Sequence, residues 1–262
     1  MITSLHNPKV RWIKALQSQP RRRNEEGVFV VEGVRLAEEV LRSGWPVELG
    51  LFVPSPDERR RRLVAELCQR GVNLEEVSLS VLRAISETET PQGILLVVKQ
   101  QSLPLPEKPS FTLLVDSVRD PGNLGSILRT AAAAAVEAVI LPPATVDVYS
   151  PKVVRAGMGA HFRLPILRLS WEEIERLIQR HCLTVFLAEA QGEVAYDQAD
   201  FRQPFLLIIG GEAEGASPKA RALAHRRVFI PMPGGTESLN AAVSAGILIF
   251  EAIRQRTRPS IA

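Results

Sequence analysis

Hydrophobic and polar positions alternate along this chain in short apolar runs separated by amphipathic stretches. Apolar runs at 29–33, 49–53, 93–98, 111–118, 136–142, 183–190, 204–211 and 226–232 read as strands. Three- and four-residue spacing and end signals predict helices over 8–17, 34–44, 57–71, 124–135, 151–158, 171–180, 216–224 and 239–256. Asn7 and Pro8 offer a cap and a first turn to the first of these, and Gly44 closes the second. Within 57–71, Leu63, Val64, Leu67 and Cys68 share a side and can face a core. The run at 111–118 is too apolar to be half exposed and fits the middle of a parallel sheet. Asn123 is placed to cap the helix that follows it. Val243, Ile247 and Phe250 share one face of the last helix, which an interface could bury.

The segment QSLPLPEKPS at 101–110 interrupts this rhythm. It is rich in proline and poor in helix signals, so it reads as an extended linker. The boundary near 105 predicts two domains, 1–105 and 106–262. The first alternates strand and helix as a small α/β domain. The second predicts a parallel sheet covered on both sides.

Composition changes this picture only at the margins. The 262 residues carry 32 Lys and Arg against 29 Asp and Glu, a formal charge of +3, which permits nucleic-acid binding without demanding it. The two cysteines, Cys68 and Cys182, form no CxxC pair, and His181 beside Cys182 has no nearby residues to complete a metal site. Neither a disulfide scaffold nor a structural zinc is expected. The first residues lack a signal peptide's apolar core, and no apolar run is long enough to cross a membrane. A cytoplasmic location is the expectation.

The candidate chemistry lies in three small-residue-rich segments of the second part, 116–134, 206–215 and 229–246. GNLG at 122–125 is a strand-to-helix turn, but neither GxGxxG nor a Walker loop is present. That turn either contacts a ligand or is only a tight, capped turn. Arg129, among small and apolar neighbours, reads as buried; it either satisfies a carboxylate inside the fold or grips a phosphate. Glu212 follows two glycines at the end of a very apolar strand, the ligand side of an open α/β sheet. It could equally order a loop or pair with Arg129. Ser238 and Asn240 either cap the last helix or belong to a shaped loop whose backbone binds an adenine-like edge. In the first part, Arg21, Arg22 and Arg23, with Lys9 and Arg11, flank a loop-like stretch that could follow a phosphate backbone. Arg59–Arg62 either contact RNA or are simply solvated.

Three motifs, DPGNLGSILRTA at 120–131, IIGGEAEG at 208–215 and IPMPGGTESLNAAVSAGILIFE at 230–251, together resemble the SpoU/TrmH family of RNA ribose 2′-O-methyltransferases, in the SPOUT class. NPKVRWIKAL, GVFVVEG and ISETETPQGILLVV resemble that family's L30e-like substrate-binding domain, so the likeness spans nearly the whole chain. It implies an α/β fold whose C-terminal parallel-sheet domain is tied in a deep trefoil knot, with S-adenosylmethionine as methyl donor. It also implies that Gly210, Ile230 and Leu239 contact the cofactor largely through backbone. Ala188, Gly211 and Met232 line the same pocket. Asn123, Arg129, Glu212, Ser238 and Asn240 match the family's catalytic-site residues.

The implied reaction is methyl transfer to a ribose 2′-hydroxyl of RNA, with 23S rRNA the first expectation. A tRNA target and a non-catalytic RNA-binding module are the alternatives. In the family, Arg129 is the arginine proposed to assist deprotonation; elementary chemistry favours a phosphate clamp that polarises the hydroxyl. Relatives are homodimers through the C-terminal domain, so a homodimer is expected. No metal and no membrane are expected.

Overall fold

A computed structural model describes residues 1–212 and 214–257. The chain forms two compact units. One comprises Met1–Gln101 together with Asp147–Phe162, and the other Ser102–Val146 and the chain from Arg163 onward. A single cut near 105 assigns 147–162 to the second part, whereas this segment packs with the first.

The first unit contains α1 (Pro8–Ser18), α2 (Pro20–Glu26), β1 (Val28–Glu32), α3 (Val34–Ser43), β2 (Val47–Phe52), α4 (Glu58–Gln69), β3 (Leu74–Glu76), α5 (Leu79–Ala84) and β4 (Ile94–Lys99). Its sheet runs β1-β4-β2-β3; the β4 pairings are antiparallel and β2–β3 is parallel. The Asn7 side chain accepts from the Lys9 amide and so caps α1, as expected. Val10, Ile13 and Leu16, one face of α1, are buried with Val30, Leu51, Leu95 and Val97 of the sheet. In α4, Leu63 and Leu67 are buried, but Val64 is half-buried and Cys68 exposed, so the apolar stripe is narrower than its spacing implied. The short β3 and α5 went unpredicted because three and six residues carry little periodic signal.

The stretch RRRNEEG is a helix, not a loop. Pro20 opens α2 and Gly27, at φ 63°, closes it in the left-handed region. Arg23 turns inward from α2 and is 2% exposed. Its guanidinium donates to Asp147 Oδ2 at 2.8 and 2.6 Å and to the Leu16 and Gln17 carbonyls. The inserted segment is thereby anchored: α7 (Pro151–Gly157) packs on β1, and Tyr149, His161 and Phe162 surround Phe29.

The second unit contains β5 (Phe111–Val115), α6 (Pro121–Ala133), β6 (Ala138–Leu141), β7 (Ile166–Arg168), α8 (Trp171–His181), β8 (Thr184–Ala188), β9 (Val194–Ala195), β10 (Phe205–Ile209), α9 (Pro218–Leu223), β11 (Arg226–Phe229) and α10 (Ala241–Thr257). Seven strands lie in the order β7-β6-β5-β10-β8-β11-β9, every pair parallel. β5 and β10 are buried along their whole length, as a sheet covered on both faces requires. Leu206 and Ile208 of β10 pack with Ile174 and Ile178 of α8 and Ala220 of α9. Phe205 alternates to the other face, where it meets Phe111, and Arg256 of α10 lies over both rings. The chain steps outward from β5 to β6 and β7, then resumes beyond β10 with β8. That reversal of strand order is where open α/β sheets bind ligands.

Candidate active site

Beside this reversal Gly210 follows β10, Ala188 ends β8 and Ile230 follows β11. The carboxyl ends of these three strands line a cavity of about 480 Å³, within the ordinary range for a small-molecule site. Ala188, Gly210, Gly211, Ile230, Met232 and Leu239 all line it, so every residue expected to contact a cofactor faces one space. Glu212 and Ser238 line it too.

Close backbone approach explains the glycines. A Cβ on Gly210 would lie 2.4 Å from the Ala216 amide nitrogen, and one on Gly211 would lie 2.3 Å from the Ser117 carbonyl oxygen. No side chain fits either place. Ser117 itself holds a positive φ of 57°, uncommon for a residue with a Cβ and of the kind that clusters at functional sites.

A hydrogen-bonded chain joins the three motifs. Asn240 Nδ2 donates to Asn123 Oδ1 at 2.9 Å, and Asn123 Nδ2 donates to Glu212 Oε1 at 2.8 Å. Glu212 Oε2 lies 3.5 Å from the Arg119 amide, at the limit of a hydrogen bond. Asn123 is therefore not the helix cap. Asp120 is: its side chain accepts from the Asn123 amide, and Pro121 occupies the first turn. With the cap supplied one turn earlier, the Asn123 side chain is free to bridge the other motifs. Asn240 also caps the last helix, the first of the two roles its position offered, since its Oδ1 accepts from the Ala242 and Val243 amides.

Arg129 departs from expectation. It is exposed on α6 and makes no hydrogen bond or ion pair among the described residues. It does not pair with Glu212, which is taken by Asn123. The neighbours that read as a buried setting, Ile127, Leu128 and Ala131, face the core, while Arg129 occupies the opposite side of the same helix.

The basic residues of the first unit divide. Arg23 is committed to Asp147 and two carbonyls, so it is a structural residue and not an RNA contact. Arg21 and Arg22 are exposed but paired one turn on with Glu25 and Glu26. Lys9 pairs with Glu75. Arg11 is exposed and makes no such pair among the described residues. In the arginine run, Arg59 forks onto Glu38 at 2.6 and 2.7 Å, and Arg60 reaches the Gln92 carbonyl. Both are held by protein groups.

Sequence reasoning missed two features. Glu189 and Arg221 line the cavity as an ion pair at 2.9 Å; no periodicity links positions so far apart in the chain. Asp116 is wholly buried at the end of β5; a carboxylate closing a largely apolar strand was the available signal. Among the described residues, no group of His, Cys, Asp and Glu could hold a metal ion, and no helix is long and apolar enough to cross a membrane.

Residues 110–250 match the model of the SpoU rRNA Methylase family, and residues 7–96 match the MRM3-like substrate binding domain. The 23S rRNA (guanosine(2553)-2′-O)-methyltransferase RlmP of Bacillus subtilis is 32% identical, covering 95% of this chain and 97% of that protein. A 23S rRNA (uridine(2479)-2′-O)-methyltransferase of Streptomyces viridochromogenes is 34% identical, covering 97% and 92%. Among solved structures, an AdoMet-bound rRNA methyltransferase from Sinorhizobium meliloti superposes with a TM-score of 0.87 at 34% identity, covering 97% of each chain. AviRb from Streptomyces viridochromogenes, in complex with AdoMet, gives 0.87 at 31%, covering 96% of this chain and 98% of that one.

Proposed function

Because the chain belongs to the SpoU rRNA Methylase family, we propose that it methylates a ribose 2′-hydroxyl of RNA using S-adenosylmethionine, and that its target lies in 23S rRNA. The observation that carries this reading is the convergence of all six expected cofactor residues on one cavity, beside the Asn240–Asn123–Glu212 chain. The cavity suits the donor. Ile230, Met232, Leu239 and Leu248 offer apolar walls for an adenine ring, and the two glycines let backbone approach its edge. Glu189, Glu212, Glu214 and Glu237 give the lining an acidic balance suited to a cationic molecule.

When bound, the donor supplies a methyl on a sulfonium, the C–S electron pair leaving with sulfur as the ribose oxygen forms the O–C bond and its proton passes to water. The protein's task is to place that oxygen in line and to balance nearby phosphate charge. Arg129, solvated and without a protein partner, is available to grip the phosphate beside the target ribose and polarise its hydroxyl. Glu212 orients Asn123, which positions the nucleotide, and Asn240 ties the last motif to both. Ser238, on the cavity wall, helps fix the third loop against the ribose.

Two further features belong to the reading. The C-terminal unit is a trefoil knot, a reading supported by its membership of the SpoU family. Pulling both chain ends should leave an unfolded contour shorter than the residue count requires; a full-length contour refutes the knot. The protein is a homodimer, supported by the exposed Val243 and Phe250 on α10. The central experiment incubates purified protein and labelled S-adenosylmethionine with rRNA and tRNA transcripts, alongside 2′-O-methyl mapping in a deletion strain. One lost mark in 23S rRNA is expected. A lost mark only in tRNA redirects the target, and no modified RNA with either substrate overturns the reading.

A further inference from the structure

We propose that Asp116 is a positioning residue for the donor cavity, acting through the Ser217 amide and the Ser117 hydroxyl; this rests on the donor reading above. Its side chain is 0% exposed and does not line the cavity. A carboxylate out of water is costly unless its oxygens are hydrogen-bonded. Here Oδ1 accepts from Ser117 Oγ at 3.0 Å and Oδ2 from the Ser217 amide at 2.5 Å. No cation pairs with it among the described residues.

What those bonds hold is the segment that walls the cavity. The Asp116 amide donates to the Ile209 carbonyl at 2.9 Å, where β10 ends. Its side chain holds Ser217, which caps α9 by accepting from the Ala220 amide. One residue therefore fixes both ends of 210–216. That segment supplies Gly210, Gly211, Glu212, Glu214, Gly215 and Ala216 to the cavity. The next residue along, Ser117, presents the carbonyl over which Gly211 passes. The span of the loop, and the reach of Glu212 toward Asn123, are set from beneath. Preorganising a binding wall in this way raises affinity by removing the entropy of ordering it at the moment of binding.

The test is calorimetry of S-adenosylmethionine binding to the full chain, with hydrogen exchange on the same samples. Asp116→Ala leaves the Ser217 amide without an acceptor and should weaken donor affinity by about tenfold or more. Asp116→Asn should stay within about threefold of wild type, because its carbonyl accepts from Ser217 and its amide donates to Ser117 Oγ, which reverses role. The Gly211 and Ser217 amides should exchange faster in Asp116→Ala, while those of β4 do not change. A folded Asp116→Ala with wild-type affinity overturns the proposal. So does an Asp116→Asn as impaired as the alanine, which would assign the effect to charge. Should Asp116→Ala fail to fold, Ser117→Ala removes one bond only: weaker donor binding supports the proposal and unchanged binding overturns it. If wild type itself binds no donor, the methyl-transfer reading falls, and the exchange comparison alone decides whether Asp116 anchors the loop.

Discussion

Arg129 and His161 show how little a residue's type says about its surroundings. Arg129 sits in an alanine-rich helix yet faces solvent unpaired. In the proposed role of phosphate clamp it would act by charge and donor geometry. Arg129→Ala should lower kcat/KM for RNA by about 10²- to 10³-fold, with Arg129→Lys recovering part of the loss. Methyl-transfer kinetics on a defined transcript measure this; equal loss in both variants would favour a role that needs the guanidinium itself. His161 is 2% exposed. Burial pushes its pKa down from 6.5 to about 4, against the smaller opposing pulls of the Val148 carbonyl and Asp147. Its Nε2 lies 2.8 Å from that carbonyl, while Nδ1 has no hydrogen-bond partner among the described residues. Between these two values the unfolded chain binds the proton more readily than the folded one, so stability falls as pH drops from 6.5 towards 4. The full effect is about 3 kcal/mol. Denaturant midpoints measured from pH 7 to 4.5 should show this slope, and His161→Phe should flatten it.

At the scale of elements, the turns after β5 and β10 matter more than the strands. Gly211→Ala would drive a methyl group into the Ser117 carbonyl, and Ser117 is already at a positive φ. The variant should lose at least about tenfold in donor affinity by calorimetry and melt earlier than wild type. Unchanged binding would mean the loop can move aside. The helix ends carry a related lesson. A DP pair was readable as cap and first turn, and it places Asn123 inside the helix rather than before it. In α2, Arg21 and Arg22 find glutamates one turn on, a spacing visible in RRRNEE. Arg23 has no such local partner and finds Asp147 across a gap of 124 residues, which no local pattern could reveal.

At the scale of the whole molecule, the apolar stripe of α10 is left uncovered. Val243 is 50% and Phe250 52% exposed, while Ile247 between them is half-buried. A second copy is the proposed cover, and charged substitutions there should split the dimer. Val243→Asp with Phe250→Asp should shift sedimentation from dimer to monomer at micromolar concentration while preserving the circular dichroism of the fold. A wild type that sediments only as monomer at assay concentration would sink this.

Local physics made legible the strands and helices that are long or strongly patterned and the parallel character of the second sheet, because apolar runs must be buried. The residues that meet at its cavity were legible only through the likeness of the three motifs to the SpoU/TrmH family. The tertiary structure alone decided which side of α6 carries Arg129, that Asp147–Phe162 packs with the first unit, that Arg23 is interior, and that Asp116 lies beneath the cavity loop. Each of these depends on partners distant along the chain. Pairing of that kind is set by how the elements stack, and composition and spacing contain no record of it.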